Sequence, residues 1–309
     1  MRRPLARDLP GSSVRYNVKL APYTTWNVGG VSEILFAPSA QTDLIAIMKW
    51  IGDNGMDFYA LGGGSNILIA DGILKTPVVL TTGMAGISVR HKMGMVLLDC
   101  LAGTPMQEVL SLSVKNGWGG LEFAAGIPGT VGGAVAGNAG AVYGSVGSAV
   151  ESVTAVEIGG SVVKWDAREM GWAYRSCPLF ENAARIVQSV TFKLHQSNYG
   201  EVAHSIKMAM EGRKTQPAAF RTAGFVFKNP SGGSAGRLLD AAGCKGMRVG
   251  GARVSETHAN FIENMGECTA DDILSLALAC KKMVLEAFET PLCFEIKTIG
   301  FEDVRNATD

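Results

Sequence analysis

The sequence predicts an α+β fold with a strand-rich N-terminal region and a separate C-terminal α/β unit. Three observations carry this prediction. Short aliphatic runs alternate with helical periodicity over residues 31–120. A hairpin pattern at 150–166 and a long strand at 185–195 follow. The last third then has its own helices and strands, including a long helix at 269–289, so it reads as a second unit.

The N-terminal elements follow from periodicity and from glycine stop signals. Leu44, Ile47, Met48 and Ile51 have helical spacing before Gly55. In order, we predict a strand at 31–38, a helix at 41–55, a strand, glycine turn and strand over 58–70, short strands within 77–83, 87–90 and 95–103, and a helix over 104–120 with Thr104 as its N-cap.

The later elements are bounded by turn residues and a proline. The hairpin at 150–166 turns at Gly159-Gly160. We predict a domain boundary near the polar stretch 196–204. We also predict a helix at 202–216 that ends before Pro217, a helix at 234–243, strands near 247–255 and 259–264, a helix at 269–289 and a final strand at 293–300. Thr269, with Asp272 three residues later, predicts a capped start for the long helix.

Composition excludes several classes of protein. The chain has 309 residues, is 47% hydrophobic and balances 28 basic against 28 acidic residues. This neutral balance argues against nucleic acid or a membrane surface as the main partner. No apolar run reaches the roughly 18 residues of a membrane span, and the arginines near the N-terminus precede no apolar signal segment. The six cysteines lack CxxC spacing, so we expect reduced thiols, a cytoplasmic protein and no metal.

Two glycine-rich stretches are the most unusual feature. Residues 119–144 contain nine glycines, and residues 61–71 read LGGGSNILIAD. Either stretch alone fits a tight turn or a linker as well as an anion cradle. Valines interleaved through 119–144 argue against a linker, and two such turns together favour a diphosphate ligand over packing alone. Neither stretch is a dinucleotide fingerprint or a Walker loop.

Four charged or polar side chains lie in motifs that are compatible with ligand binding or catalysis. Arg175 in AYRSCPLF can hold a carboxylate or phosphate, or form a surface ion pair. Lys228 in FVFKNPSGG can bind phosphate or simply be solvated. Glu295 shares one face of the predicted last strand with Lys297, which is usually the exposed face, and His258 in SETHANF reads as structural.

Taken together, these motifs resemble the UDP-N-acetylenolpyruvoylglucosamine reductase (UDP-N-acetylmuramate dehydrogenase) family. The ordered set is specific although each motif alone is weak, and the short passage after AYRS is similar to the compact form that lacks an extra tyrosine loop. The matching stretches are TTWNVGG (24–30), LGGGSNILIADG (61–72), GLEFAAGIPGTVGGAVAGNAGAVYG (120–144), AYRS (173–176), AGFVFKNP (223–230), AGRLLDAAGCKGMRVGGARVSETHANFIEN (235–264) and FEIKTIG (294–300).

The resemblance implies a two-lobed, vanillyl-alcohol-oxidase-like FAD-binding region followed by a C-terminal substrate lobe. The implied ranges are an N-terminal extension at 1–19, the FAD-binding region at 20–198 with lobes of about 20–84 and 85–198, and the substrate-binding domain at 199–309. The implied cofactor-binding residues are Thr25, Gly29, Gly62, Gly63, Gly64, Ser65, Asn66, Gly126, Pro128, Gly129, Thr130, Gly132, Gly133, Asn138, Gly140 and Arg213.

The resemblance also implies a reaction. NADPH reduces FAD and leaves, and the reduced flavin delivers hydride to the enolpyruvyl group of a UDP-sugar bound by a monomer. Arg175 is implied to clamp the substrate carboxylate, and Glu295 is implied to hold the same group in hydrogen-bonded geometry. Residues implied to bind the substrate are Tyr174, Lys228, Asn229 and Asn260.

One position departs from the family pattern. The family has a serine, or sometimes a cysteine, just after the glycine of this AG…FKNP motif, and this residue is the implied proton donor. This chain has Phe225 there. A nearby hydroxyl of Thr222 or Ser231, an ordered water or Glu295 can supply the proton instead. The alternative is a flavin-binding homologue with altered or lost reductase chemistry.

Overall fold

The protein is described by a computed structural model. It describes residues 9, 14–141, 143–181, 184–211, 213, 216–217 and 221–301, so most of the predicted extension 1–19 lies outside the described residues. The chain forms two compact units. Unit 1 comprises residues 1–16, 34–63 and 76–213, and unit 2 comprises residues 17–33, 64–75 and 214–309.

Helices and short strands alternate along the chain, as the sequence predicts. The strands are β1 (Val14–Lys19), β2 (Val31–Phe36), β3 (Tyr59–Leu61), β4 (Ile67–Ile69), β5 (Ile73–Leu74), β6 (Val78–Leu80), β7 (Ile87–Lys92), β8 (Met95–Leu101), β9 (Trp118–Gly119), β10 (Gly140–Ala141), β11 (Gly144–Ser145), β12 (Val150–Glu157), β13 (Val162–Asp166), β14 (Arg185–Gln196), β15 (Arg248–Val249), β16 (Ala252–Val254), β17 (Ile262–Asn264) and β18 (Lys297–Ile299). The helices are α1 (Gln41–Asp53), α2 (Met106–Asn116), α3 (Val131–Ala136), α4 (Val146–Ala149), α5 (Pro178–Glu181), α6 (Tyr199–Glu211), α7 (Ala235–Ala241) and α8 (Ala270–Phe288).

An antiparallel sheet organises unit 1. Its strand order is β13-β12-β14-β8-β7, and β9 pairs with the end of β14. Residues of β14 alternate between the buried core and a more exposed face, which is the period-2 pattern of a half-buried strand. Unit 1 also holds a parallel arrangement in which β6 pairs with β3 and with the end of β2. The hairpin predicted at Gly159-Gly160 is confirmed by the β12–β13 pairing.

Helix α8 organises unit 2 and begins where the sequence predicts. The Asp272 backbone N–H donates to Thr269 Oγ1 at 3.0 Å, and the Thr269 N–H donates to the Asp272 carboxylate at 3.0 Å. Asp71 adds a second cap by accepting from the N–H groups of Ala270 and Asp271 at 2.8 and 3.2 Å. These bonds satisfy N–H groups that have no partner within the helix. Unit 2 also contains the antiparallel sheet β15-β16-β17, the parallel pair β18–β4 and the parallel pairing of β5 with the start of β2.

Three predicted boundaries need correction. Thr104 is not the N-cap of α2, because its hydroxyl is bonded to the backbone of Gly86 and the helix begins at Met106. Helix α6 begins at Tyr199 rather than 202, within the polar stretch taken as a boundary. The last strand covers only Lys297–Ile299, and Glu295 precedes it.

The predicted division into contiguous ranges at 20–198 and 199–309 stays a prediction. By compactness the chain is interleaved, and unit 2 takes two short segments from the first quarter of the sequence. Among the described residues, no helix is both long and apolar enough to cross a membrane.

Candidate active site

The two glycine-rich stretches meet in unit 1. A Cβ atom added to Gly63 would lie 2.8 Å from the Cα of Gly129, and one added to Gly62 would lie 2.6 Å from the Thr130 Oγ1. Any side chain at these two positions would therefore collide with the other stretch. The close approach of backbone to backbone explains why both segments are rich in glycine.

The described residues of the 119–144 stretch, which are all but residue 142, form ordered structure and not a linker. Val131 and Val135 are fully buried, and α3 occupies Val131–Ala136 with Thr130 as its N-cap. Gly126 and Gly129 have φ angles of 72° and 97°, which are strained for residues with side chains. Gly140 packs against Gly144 and Ser145 in the β10–β11 hairpin, and Pro128 is exposed. The interleaved valines had predicted this order.

Neighbouring glycines of α3 face different surroundings. A Cβ at Gly132 would lie 2.9 Å from the Ala102 Cβ and 3.1 Å from the Ala102 carbonyl oxygen. At Gly133, which is exposed, the nearest atom would be the Thr130 Oγ1 at 3.6 Å, an ordinary contact. Gly132 thus serves packing inside unit 1, whereas Gly133 leaves a surface open for a ligand.

Arg175 stands at the tip of a tight turn. Ala173 and Ser176 exchange two backbone hydrogen bonds of 3.1 and 3.2 Å, so Tyr174 and Arg175 are the two residues between them. Arg175 has a φ of 51°, a left-handed conformation that costs a residue with a side chain roughly 1–2 kcal/mol. Tyr174 is exposed, and its ring lies 5.6 Å from the Arg175 guanidinium carbon. A strained residue at a turn tip is typical of functional sites.

A second guanidinium lies in the same region of unit 1. Arg213 donates to the Gly126 carbonyl oxygen at 3.0 Å. Burial and, secondly, the positive charge of Arg175 hold the pKa of the Arg213 guanidinium below its ordinary value. Two neighbouring positive charges beside a glycine loop favour an anionic ligand, because a carboxylate or phosphate relieves their repulsion.

Unit 2 brings TTWNVGG and the end of GGGSN together. Thr25 donates its N–H to the Gly64 carbonyl at 3.1 Å, and a Cβ at Gly64 would lie 1.9 Å from the Tyr23 carbonyl oxygen. Gly29, with a φ of 130°, packs on Ile69, and Ser65 is half-buried. The family resemblance implies that both segments bind the cofactor, and their contact is consistent with a shared role.

Main-chain bonds in unit 2 fix Glu295 and Lys228 relative to each other. The Glu295 N–H donates to the Val226 carbonyl at 2.8 Å, and the Lys228 N–H donates to the Cys293 carbonyl at 2.9 Å. The Asn66 side chain also donates to the Glu295 carbonyl at 3.1 Å. Two residues that the sequence separates by 67 positions thus lie on paired segments.

Two asparagines predicted to bind substrate have structural bonds. Asn260 is buried; its Oδ1 accepts from the Phe227 N–H at 2.9 Å and its Nδ2 donates to the Phe227 carbonyl at 2.8 Å. Asn229 Oδ1 accepts from the Ala235 N–H at 3.0 Å at the start of α7. Because the Asn260 amide holds the backbone just before Lys228, its contribution to binding would pass through that lysine.

Phe225 belongs to an aromatic cluster that the sequence did not reveal. Its ring stacks on His258 with centroids 5.1 Å apart and meets Phe261 edge-on at 5.2 Å. His258 Nδ1 accepts from the Asn260 N–H at 3.2 Å, and burial lowers the His258 pKa, so the imidazole is neutral near pH 7. The hydroxyl oxygen of nearby Thr222 is buried and has no hydrogen-bond partner among the described residues.

Comparisons with known proteins agree over nearly the whole chain. Residues 216–299 match the C-terminal domain of UDP-N-acetylenolpyruvoylglucosamine reductase, and residues 32–166 match an FAD-binding domain. The chain is 34% identical over 299 residues to the reductase of Clostridium botulinum strain Hall, covering 96% of each chain, and 38% identical over 285 residues to that of Moorella thermoacetica, covering 92% of each. The crystal structure of the Thermus caldophilus reductase is similar with a TM-score of 0.78 and 32% identity, over 93% of this chain and 99% of that one.

Proposed function

Because the chain belongs to the UDP-N-acetylenolpyruvoylglucosamine reductase family, we propose that it reduces the enolpyruvyl group of UDP-N-acetylglucosamine enolpyruvate to give UDP-N-acetylmuramate. NADPH is the reductant in this proposal. Family membership also makes the chain an FAD-dependent oxidoreductase with the predicted α+β fold. The observation that carries the proposal is the Arg175 turn, in the same unit as the paired glycine loops. We further propose a cytoplasmic monomer that works in peptidoglycan precursor synthesis.

The residues of unit 1 fit FAD. Gly63 lies against the Gly129 backbone, and exposed Gly133 leaves room where a side chain would intrude. Such loops present N–H groups to a diphosphate. Arg213, bonded to Gly126, adds a positive charge beside them. When bound, FAD supplies hydride chemistry, taking a hydride from the reduced nicotinamide and giving one to the enolpyruvyl carbon.

Arg175 and Glu295 serve the substrate carboxylate in this proposal. Hydride addition to the methylene carbon places negative charge on the adjacent carbon and its carboxylate. The guanidinium of Arg175 can bind that carboxylate through two parallel hydrogen bonds and stabilise the developing charge. Glu295, held by its backbone to Val226 and Asn66, orients the same group. Lys228 and Tyr174 bind the UDP portion, with Asn229 and Asn260 in support.

Protonation of the substrate carbon is the step that Phe225 alters. A phenyl ring carries no transferable proton, and this ring is packed on His258 and Phe261. Thr222 offers a buried hydroxyl three residues earlier in the chain. We propose that Thr222, directly or through water, supplies the proton in place of the family serine.

Restoring a hydroxyl at position 225 tests this reading. If Thr222 supplies the proton, Phe225→Ser should change turnover little by itself, and in a Thr222→Val background it should recover about two orders of magnitude of turnover, the low end of general acid catalysis. The melting temperature falls, because aromatic pairs contribute about 0.5–1.5 kcal/mol each. Phe225→Ala is the matched control, since it removes the ring without adding a hydroxyl and should give no gain. Turnover measured with Thr222→Val should fall, and an unchanged rate would assign the proton to another group.

An anaerobic pair of half-reactions tests the function itself. NADPH should bleach the flavin absorbance, and UDP-N-acetylglucosamine enolpyruvate should restore it without oxygen. NADH in place of NADPH measures the nicotinamide preference. Purified protein that is yellow but does not recolour with the substrate supports the alternative, a flavin-binding homologue with altered or lost reductase chemistry. Recolouring only when oxygen is admitted indicates an oxidase.

A further inference from the structure

The Arg175 turn is tied to the glycine-rich segment by one side chain. Asn138 Nδ2 donates to the Ala173 carbonyl oxygen at 2.7 Å. The same oxygen accepts the Ser176 N–H that closes the turn, at 3.2 Å. A carbonyl oxygen has two acceptor sites, and both are filled by groups that define where the turn lies.

The other end of the Asn138 amide is also used inside unit 1. Oδ1 accepts from the Gly147 N–H at 3.0 Å at the start of α4, and only 5% of Asn138 is exposed. Gly147 in turn lies against the Trp172 ring, which a Cβ would approach to 2.7 Å. Trp172 directly precedes Ala173 and donates its indole N–H to the Ala167 carbonyl at 2.8 Å. The base of the turn is therefore held from two sides.

The backbone of Asn138 restricts which residue can do this. Its φ is 41°, a left-handed conformation that asparagine, aspartate and glycine adopt most readily. Of these three, glycine has no side chain and aspartate cannot donate to a carbonyl when ionised. Asparagine alone meets both the backbone requirement and the two hydrogen bonds.

We propose that Asn138 is a positioning residue that fixes the Arg175 turn for its carboxylate ligand. The sequence resemblance implies a cofactor contact for Asn138, but both ends of its side chain are committed to Ala173 and Gly147. Arg175 has a left-handed φ of 51° and needs outside support to keep its direction. This assignment rests on the proposed role of Arg175 in binding the substrate carboxylate.

Asn138→Asp separates positioning from cofactor binding, because it keeps the size and the backbone preference and replaces the amide donor by a carboxylate that can only accept. We expect substrate-dependent reoxidation of the flavin to slow by about 10–100-fold, as small misplacements of a catalytic group do. Flavin content and bleaching by NADPH should stay within about twofold. Asn138→Gly, which keeps the left-handed backbone and removes both bonds, should show the same pattern. Loss of flavin from these variants would instead support the cofactor contact.

Two controls make the result specific. Asn54 donates to the Trp50 carbonyl at 2.8 Å in α1, so Asn54→Asp removes a similar bond elsewhere in unit 1 and should leave both half-reactions unchanged. In an Arg175→Lys background, adding Asn138→Asp should slow substrate-dependent flavin reoxidation by less than about twofold, because Asn138 acts through Arg175. A full, multiplicative loss in the double variant would overturn the proposal.

Hydrogen exchange tests the same idea without the reaction. The Ser176 amide should exchange at least about tenfold faster in Asn138→Asp than in the unsubstituted protein, and unchanged exchange would overturn the proposal whatever the activity. If the unsubstituted protein fails to reduce the enolpyruvyl substrate while exchange still responds to Asn138→Asp, the proposed function fails and the structural link stands.

Discussion

Gly133→Val should yield a folded, colourless protein, whereas Gly132→Val should be folded poorly or not at all. A Cβ at Gly133 would meet only the Thr130 Oγ1, at an ordinary distance, so we expect the fold to accept valine and its side chain to project into the surface proposed for FAD. We expect FAD binding to weaken at least about a hundredfold, or about 2.8 kcal/mol. Valine at Gly132 meets Ala102 at 2.9 Å, and such overpacking typically costs about 1–3 kcal/mol of stability or more.

The pair of variants is read by two measurements. The ratio of flavin to protein absorbance reports binding, and thermal unfolding followed by circular dichroism reports stability. Gly133→Ala should lie between the unsubstituted protein and Gly133→Val in flavin content. A yellow Gly133→Val protein with unchanged flavin content would place the cofactor elsewhere. The sequence resemblance implies a cofactor contact for both glycines, whereas the packing of Gly132 against Ala102 predicts a loss of stability for its substitution.

Arg175→Lys should lower the rate of substrate-dependent flavin reoxidation by about 10²–10³-fold, the range for removing one group that stabilises a developing oxyanion. Lysine keeps the charge but not the planar, two-pronged donor geometry that binds a carboxylate. Flavin content and reduction by NADPH should change little, because Arg175 is proposed to meet only the enolpyruvyl carboxylate. Anaerobic stopped-flow absorbance separates the two half-reactions.

Arg168→Lys is the matched control for the arginine change. Arg168 belongs to unit 1, its side chain is 86% exposed and its ion pair with Asp166 is 3.6 Å long. Such surface pairs contribute about 0–1 kcal/mol, so no rate should change. Equal slowing of both half-reactions in Arg175→Lys would mean that Arg175 supports the flavin rather than the substrate.

Local signals predicted much of the fold. Helix α8 begins at the Thr269 and Asp272 capping pair because both groups needed for the cap lie within one turn of sequence. Helix α1 and the β12–β13 hairpin were likewise predicted from residues next to one another. Thr104 was predicted wrongly, because Gly86, eighteen residues away, competes for its hydroxyl. Propensity describes neighbours in sequence and not such distant partners.

The same distinction between local and distant contacts applies to the candidate site. Glycine spacing predicted that the two loops serve a common purpose, and Gly63 and Gly129 do meet. The sequence could not distinguish Gly132 from Gly133, since that difference depends on Ala102 of another segment. The sequence also could not show that the Asn260 amide is hydrogen-bonded to the Phe227 backbone, or that Phe225 stacks on His258. These are contacts between segments that only the folded chain brings together.

The interleaved chain path of unit 2 imposes an order on folding during translation. The indole N–H of fully buried Trp26 donates to the Ile262 carbonyl, 236 residues later. At roughly 5–20 residues per second, those residues take on the order of ten to fifty seconds to synthesise. All of unit 1 is synthesised before the last segment of unit 2 begins. Until then Trp26 lacks its Ile262 acceptor and β4 lacks its partner strand β18, so we expect the nascent chain to expose both to chaperones and to aggregation.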